Sequence, residues 1–465
     1  MRGSGFMLLW ALLTGLFWGA CPTMAETAPD TPPLSADGAT IHLELEEAWR
    51  LALARSPRVA AALARVTQAH EEAEMVAAPA RPQATLTGFR EQTRTTPGPP
   101  IVLSTFGMRP GVAGALEERP FQTEGFEYGS SQVHLEVRQL LFDGGQLAAR
   151  IASARAQEGQ SQALLGSVVR DLRRDLELAW LDALQARSRL ELAQEAEILA
   201  REQRRMTEVR FQEGTAARAD VVFAQVPVAQ AERDRIQVEN SEAVAQAALN
   251  RLLGLPLGTP LTLAEPEAPP PRLGTPEEAE ERAGRVRPEV VAARAALDSA
   301  RSGLQAARSG RDPEFHAVGS STGVSYEKDL LPGDVGWRVA LEARWVLLDG
   351  NQTTHEVRRA RARVLEAEAN WREARDSVAL EVRQAWLALQ TAQRAWSSAQ
   401  VEVERAREAL AMAEGRYRSG VAVFLEGSQA RVDLLAARTN LLAARYDVRR
   451  ARIRLDWAQG LEPPR

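Results

Sequence analysis

The stretch LFDGGQ, residues Leu141–Gln146, returns 206 residues later as LLDGNQ, residues Leu347–Gln352. Outward from this motif the two regions stay in register without a gap, so that Val133–Leu255 lies over Val339–Leu461. Identical residues recur along the whole match, from the apolar residues before the motif to a closing Gly-Leu pair. A match of this length indicates one structural unit that is present twice.

A second offset, of 231 residues, relates the parts upstream of the motif and pairs Pro57 with Pro288. The difference between the two offsets is 25 residues of extra sequence in the first repeat. A Pro-rich segment at 264–276 separates the repeats, and its composition predicts a linker. We therefore expect a first structural repeat over residues 26–263 and a second over residues 277–465.

Apolar and polar residues alternate before each motif, and this pattern predicts β-strands. The predicted strands cover residues 83–94 and 128–142 in the first repeat, and residues 314–326 and 335–348 in the second. The alternation places one face of the sheet in an apolar medium and the other in a polar one. A half-buried soluble sheet gives the same pattern, but these lengths suit membrane strands of roughly 10 residues.

A very long helical pattern follows each motif. The first runs without proline from about Leu147 to Glu213, which at about 1.5 Å per residue is a rod of roughly 100 Å. It is predicted to turn at Gly214, as its counterpart turns at Gly420, and then to return. The predicted helical hairpins cover residues 147–253 and 353–459.

The motif itself predicts the junction between strand and helix. Asp143 and Asp349 are placed to cap the helices that follow, because Asp is strongly preferred at such positions. Gly144 and Gly350 relax the backbone for the turn. We interpret these four residues as structural, not catalytic.

Composition and charge exclude several other functions. The chain carries 57 basic and 62 acidic residues, and its arginines alternate with glutamates along the helical stretches. No basic block with interleaved aromatic residues supports nucleic-acid binding. The histidines are scattered without ligand spacing for zinc, and no phosphate loop or nucleophile motif occurs. We therefore expect no enzyme, no metal site and no cofactor.

The N-terminal residues 1–25 have the pattern of a signal peptide. Met7–Ala20 is an apolar core of 14 residues, too short for a spanning helix. Thr23 and Ala25 provide the small residues of a cleavage site, which favours cleavage after Ala25. The alternative is a lipoprotein anchored through Cys21. Either route predicts export from the cytoplasm.

Four membrane strands in one chain leave two sheet edges with unpaired backbone groups, each costing several kcal/mol in lipid. The chain is therefore expected to share a barrel with copies of itself. Three copies give about 12 strands, within the known size range. Two copies give about 8 strands, whose interior would be filled by side chains.

The chain resembles the TolC family of outer-membrane efflux proteins. The resemblance is carried by paired motifs in matching order: the junction motif, the turn segments Arg210–Thr215 and Arg416–Val421, the segment Asp220–Gln225, and the closing Leu252–Leu255. It implies a mainly α fold with membrane β: a homotrimeric, 12-stranded outer-membrane β-barrel continued by a 12-helix periplasmic α-barrel. It further implies a periplasmic adaptor and an inner-membrane pump as partners.

The resemblance also implies a gate, because family carboxylates just past the helical turn line the closed periplasmic entrance. Asp220 and Glu426 hold these positions, and threefold symmetry would make each a ring that favours cations. Helix dipoles alone also favour acids in a first turn. This sequence departs from the family at Gln429, often Asp, and at Ala422, often Arg, so the lock between protomers is expected to be weaker or built differently.

Two functions follow. The first is a passive exit duct of a tripartite efflux or type I secretion system, located in the outer membrane. The second is a non-conducting periplasmic coiled-coil scaffold or adaptor, whose hairpins would have a similar composition. Duplicated amphipathic strands beside the duplicated hairpins favour the duct.

Overall fold

The structure is a computed structural model. It describes residues 41–96, 101–106, 116–121, 127–265, 274–326, 334–419, 421 and 424–461. Residues 1–25, where the signal peptide is predicted, lie outside this part of the chain. So do most of the predicted linker and the predicted turn residue Gly420.

The chain is mainly helical. The helices are α1 (Leu45–Arg55), α2 (Pro57–Ala77), α3 (Gln146–Gln212), α4 (Arg218–Leu253), α5 (Pro276–Val286), α6 (Pro288–Ser309), α7 (Gln352–Arg418) and α8 (Phe424–Gln459). The strands are β1 (Ile41–Leu43), β2 (Gln83–Arg94), β3 (Ile101–Phe106), β4 (Leu116–Phe121), β5 (Glu127–Phe142), β6 (Leu261–Leu263), β7 (Glu314–Tyr326) and β8 (Asp334–Arg344).

The internal repeat is exact in the long helices. Helices α3 and α7 each have 67 residues, and α4 and α8 each have 36. Both ends of each pair are related by the offset of 206 residues. Residues related by this offset, or by 231 upstream of the motif, are termed twins below.

Proline marks the same break in both repeats. Helix α2 begins at Pro57 and α6 begins at Pro288, each in the first turn, where proline has no hydrogen bond to lose. The Ser56 hydroxyl accepts a hydrogen bond from the N–H of Val59 at 3.4 Å and so caps α2. Two helices therefore replace what hydrophobic periodicity alone would read as one.

Four strands form one antiparallel sheet in the order β2–β5–β7–β8, so that the two repeats meet where β5 pairs with β7. Cross-strand rows alternate in character, as the sequence pattern predicts. The apolar and polar rows that illustrate this are Leu86, Leu135, Ser321, Trp337 and Thr85, Glu136, Ser320, Arg338. On the polar face, Arg138 lies 3.2 Å from the carboxylate of Glu342.

The predicted strand at 335–348 is wrong at its C-terminal end, because β8 stops at Arg344. Its twin β5 continues to Phe142, since β7 pairs with the last residues of β5 on the side away from β2. Strand β8 is paired on one side only, and its ladder with β7 ends at Glu314. Residues 345–348 thus have no strand partner within one chain.

Two small sheets were not predicted. Strands β3 and β4 form an antiparallel hairpin within the extra sequence of the first repeat. Strands β1 and β6 form a short parallel pair that packs on the long helices. Three-residue strands carry too little periodicity to be recognised in a sequence.

The helices are arranged side by side in a consistent order. In the half nearer the sheet the order is α2–α3–α6–α7, and in the half nearer the hairpin turns it is α4–α3–α8–α7. The largest apolar cluster surrounds Trp180, Leu176 and Leu249 and includes Tyr446 from α8. The two repeats therefore pack through α3 against α6 and α8.

Across the described ranges, no helix is both long enough and apolar enough to cross a membrane.

Candidate channel entrance at the hairpin tips

The tip of the first hairpin is closed by a left-handed glycine. Gly214 has φ of 75°, and its N–H donates to the Phe211 carbonyl at 3.0 Å. The N–H of Thr215 donates to the Arg210 carbonyl at 2.8 Å. This pair of bonds is a Schellman motif, which ends a helix and satisfies its last carbonyls. The structure thus places the predicted turn residue Gly214 at the tip.

The second tip has the equivalent of the hydrogen bond between Thr215 and Arg210. The N–H of Val421 donates to the Arg416 carbonyl at 3.0 Å, and these two residues are the twins of Thr215 and Arg210. Gly420, predicted as the turn residue, lies outside the described residues. Helix α8 then begins at Phe424, as α4 begins at its twin Arg218.

Asp220 lies in the first turn of α4 and is half-buried. Its carboxylate accepts a hydrogen bond from the N–H of Ala217 at 3.3 Å. This contact is one of the two hydrogen bonds of a capping box, the one in which an acid in the third helical position accepts from the backbone N–H of the N-cap residue. Within one chain, Asp220 therefore has the role that helix-end electrostatics alone predicts.

Glu426, the twin of Asp220, is held differently. Its carboxylate lies 2.7 Å from the guanidinium of Arg416 across the hairpin turn. Both side chains are more than one third exposed, so this ion pair is worth at most about 1 kcal/mol. The pair joins the end of α7 to the start of α8 and partly neutralises the carboxylate.

A third contact links the two hairpins. The guanidinium of Arg210, at the end of α3, lies 5.2 Å from the ring centroid of Tyr417, near the end of α7. Arg210 is the twin of Arg416, so the two arginines have different partners: an aromatic face in one case and a carboxylate in the other. Neither contact was predicted from the sequence, although the ten-residue spacing of Arg416 and Glu426 across the turn is a signal for the second.

The tip residues could together control a passage. Two carboxylates and two arginines lie within one helical turn of the hairpin ends, and α3 and α7 are joined there. The structure does not bring Asp220 and Glu426 onto a shared partner within one chain. Any ring of carboxylates therefore depends on several copies of the chain. Among the described residues, no cluster of His, Cys, Asp and Glu could hold a metal ion.

At the other end of the long helices, the junction aspartates accept hydrogen bonds from the first helical turn. The Asp143 carboxylate accepts from the N–H of Leu147 at 2.5 Å and of Gly145 at 3.0 Å. The Asp349 carboxylate accepts from the N–H of Thr353 at 2.8 Å. Hydrogen bonds from the side chain and the backbone of Thr353 lower the pKa of Asp349 below its usual value.

The glycine that follows each aspartate is left-handed in both repeats, but its surroundings differ. Gly144 has φ of 67° and Gly350 has φ of 59°. A Cβ at Gly144 would clash with the Cβ and the carboxylate of Asp312, whereas a Cβ at Gly350 would meet nothing within 4 Å. The Gly144 carbonyl also accepts a hydrogen bond from Ser309 at 2.8 Å, which ties the junction to α6.

The fold defines a class of protein in which two strands lead into a very long helical hairpin, twice in one chain, with the sheet and both helical layers left open at their edges. The family model described as outer membrane efflux protein matches residues 48–255 and 281–461, and the chain belongs to this family. The resemblance to TolC-like efflux proteins is therefore confirmed. This is a family of channels, not of enzymes, and its place is the outer membrane.

Known proteins support the same assignment. Protein CyaE of Bordetella pertussis is 28% identical over 399 residues, which cover 85% of this chain and 79% of that protein. The outer membrane protein VceC of Vibrio cholerae has a TM-score of 0.72 at 19% identity and is matched over 96% of its length by 90% of this chain. The CmeC outer membrane channel of Campylobacter jejuni has a TM-score of 0.74 at 15% identity, covering 90% of this chain and 85% of that one. At these identities the two structures show a shared fold.

Proposed function

We propose that three copies of this chain form a gated, passive exit duct: a 12-stranded barrel in the outer membrane continued by a 12-helix tunnel in the periplasm. Substrate would pass from periplasmic partners to the outside without chemistry in the duct itself. Family members act as trimers with a periplasmic adaptor and an inner-membrane pump, and we propose the same partners here.

One observation carries this proposal. In the sheet and in both halves of the helical region, one free edge belongs to the first repeat and the other free edge belongs to the second. The first repeat supplies β2, α2 and α4 at one edge, and the second supplies β8 and α7 at the other. Inside the chain the repeats already join through β5–β7, α3–α6 and α3–α8. The twins of these junctions are β8–β2, α7–α2 and α7–α4, and each would form between neighbouring protomers. Closure into a ring therefore needs no new kind of contact.

The free end of β8 supports the strand part of this closure. Residues 345–348 are exposed and apolar, and Leu348 is 95% exposed. Their twins in β5 pair with β7, for example Leu140 with His316. The twin register would set Val346 opposite Thr85 of the neighbouring protomer. That pairing would satisfy the free backbone groups of residues 345–348.

The gate is proposed at the hairpin tips. In a trimer, Asp220 and Glu426 would each recur three times around the tunnel axis, and rings of carboxylates favour cations. Glu426 is already paired with Arg416, so the Asp220 ring would carry more of the free charge. The ion pair and the contact between Arg210 and Tyr417 would hold the tips together in the closed state.

The test is single-channel conductance of the purified oligomer in a planar bilayer, beside a variant with Asp220→Ala and Glu426→Ala. A small cation-selective conductance that becomes larger and less selective in the variant would support a gated duct with its constriction at these rings. A variant with Asp143→Asn, at the far end of the helices, serves as the control and should keep the parent selectivity. Absence of conductance in every protein would refute the duct and favour the scaffold.

A further inference from the structure

A pocket of about 330 Å³ lies on the second repeat, where α5 packs across α7 and α8. Its floor is formed by Leu389 and Leu455, one wall by the half-buried indole of Trp386, and the rim by charged side chains that include Arg282 and Asp456. The volume is within the range of ligand pockets. No described element covers it.

The twin of this place in the first repeat is filled. Trp180, the twin of Trp386, is buried, whereas Trp386 is half-buried. The indole N–H of each donates to a backbone carbonyl, Ala264 at 3.2 Å for Trp180 and Gly274 at 3.3 Å for Trp386, so burial is what differs between the two sites. Leu249, the twin of Leu455, is fully buried in the same cluster. Two things cover this cluster: the strand pair β1–β6, and the side of α8 that carries Tyr446 and Leu442. The first repeat thus shows what completes such a site.

Helix α8 reaches the first cluster because it lies beside α3 within the chain. The guanidinium of Arg450 lies 2.6 Å from the carboxylate of Asp182, and that of Arg438 lies 3.0 Å from Glu195. Among the described elements, no further hairpin takes this part for the second repeat. The twin of α8 is α4, and α4 lies at the opposite edge of the protomer from the pocket.

The side of α4 that corresponds to this surface carries two exposed apolar residues, with Asn240, the twin of Tyr446, between them. Ile236 is the twin of Leu442, and Val244 is the twin of Arg450; they are 58% and 62% exposed. The facing side of α7 has changed in the same direction. Val401 replaces Glu195 and is exposed, and Ala388 replaces Asp182. At the positions of the internal ion pair between Arg450 and Asp182, the free edges thus carry the apolar residues Val244 and Ala388, and exposed apolar residues at facing edges mark contact sites.

We propose that α4 of a neighbouring protomer closes this pocket, with Val244 of that protomer over Ala388 and with Ile236 of that protomer at the mouth. The inference rests on the proposed trimer and specifies which surfaces of α4 and α7 meet between neighbouring protomers. The site is incomplete in one chain, so a closed trimer would carry three such intersubunit pockets around its outer wall. The charged rim of each would remain at the surface.

Two pairs of cysteines test this arrangement, with Cys21→Ser as the background so that no other thiol is present. Val244→Cys together with Ala388→Cys, treated with a short bis-maleimide in membranes, should give covalent dimers and trimers on a denaturing gel. Val244→Cys together with Leu365→Cys is the matched control. Leu365 is an exposed residue of the same helix, about 35 Å further along it, and should give monomers only.

An introduced ion pair at the same two positions gives a second readout, which does not depend on reagent access. Val244→Arg alone should lower the oligomer fraction in mild detergent about tenfold or more, because it places an unpaired charge in an apolar contact. Adding Ala388→Asp recreates across the interface the pair that Arg450 and Asp182 form inside the chain. The double variant should recover the oligomer and lose it again at high salt.

The outcomes separate this inference from the proposed function. Suppose that the parent chain forms trimers, but the cysteine pair gives only monomers and Ala388→Asp does not rescue Val244→Arg. The proposed contact between α4 and α7 is then wrong, and the trimer stands. If the parent chain remains monomeric in membranes, both are wrong. Crosslinking confined to the pair with Ala388→Cys, together with rescue, would establish the contact.

Discussion

Arg210 and Tyr417 join the tips of the two hairpins, with the guanidinium 5.2 Å from the ring centroid. The two residues belong to different repeats, so the contact fixes α3 relative to α7 at the ends of two 67-residue helices. An exposed cation–π contact is worth about 0.5–1 kcal/mol. A bias of this size shifts an equilibrium between closed and open tips by roughly 2- to 5-fold.

Tyr417→Ala is therefore expected to raise the open fraction of the channel by about 2- to 5-fold, measured as open probability in single-channel recordings. Tyr417→Phe keeps the aromatic face and is the matched control, which should behave like the parent. An equal increase in both variants would show that the hydroxyl group, not the ring, holds the tips together.

The two junction glycines predict unequal costs for the same substitution. Gly350→Ala meets no neighbour and should cost only the left-handed backbone penalty, roughly 1–2 kcal/mol. Gly144→Ala adds a clash with the side chain of Asp312, which must move while α6 stays tied to the junction through Ser309. We expect the larger loss of thermal stability in Gly144→Ala.

The measurement is the unfolding temperature of the detergent-solubilised protein, followed by circular dichroism at one scan rate. Since both variants have the same backbone change in twin positions, their difference isolates the packing against Asp312. Equal unfolding temperatures would contradict the role given to Asp312.

The repeat made most of this fold predictable. A gapless offset predicts a similar backbone in twins, so the pattern around Leu141–Gln146 also indicated the second junction and its 67-residue helix. Periodicity placed β2 and β7 at the bounds that the structure gives them. The strand predicted at 335–348 shows the limit of this approach. Alternation indicates that a segment can form a strand, but backbone pairing determines where the strand ends.

The tip contacts could not be predicted in the same way. Arg210 and Arg416 are twins with the same residue type, yet one lies over Tyr417 and the other pairs with Glu426. An exposed long side chain can form any of several contacts of similar free energy. Which contact forms depends on neighbouring residues from other elements. Twin positions thus predict backbone more reliably than they predict side-chain partners.

Arg287 is the most deeply buried charge in the described part of the chain, at 3% exposure. Its guanidinium donates to the carbonyls of Trp457 and Ala458 and lies 2.9 Å from both Glu289 and Glu381. It also lies 4.2 Å from the Trp457 ring centroid. The network fastens the start of α6 to the middle of α7 and to the end of α8.

Arg287→Ala should therefore destabilise the protein by about 3–5 kcal/mol, the range for removing one partner of a buried charge network. Arg285→Ala is the control, because Arg285 is exposed and forms an ion pair with Glu281 one helical turn away. An exposed pair of this kind contributes about 0.3–0.5 kcal/mol. Similar denaturant midpoints for both variants would mean that water replaces the lost contacts of Arg287.

Glu177 predicts a pH dependence of stability. Burial raises the pKa of its carboxyl above the usual value, although Arg173, 3.0 Å away, partly offsets this effect. A raised pKa means that the native state binds the proton more tightly than the unfolded state does. Stability from this group is therefore present below the ordinary carboxyl pKa of 4.5 and is lost as the pH rises through the native pKa.

Glu177→Gln removes this titration and keeps the shape of the side chain. The unfolding temperature of the variant minus that of the parent should rise as the pH increases from about 4 toward neutrality, and then become constant above the native pKa. Comparing the two proteins at each pH cancels the contribution of all other carboxylates, which they share. A difference that falls over this range would mean that the ion pair with Arg173 outweighs burial and that the native pKa is lowered.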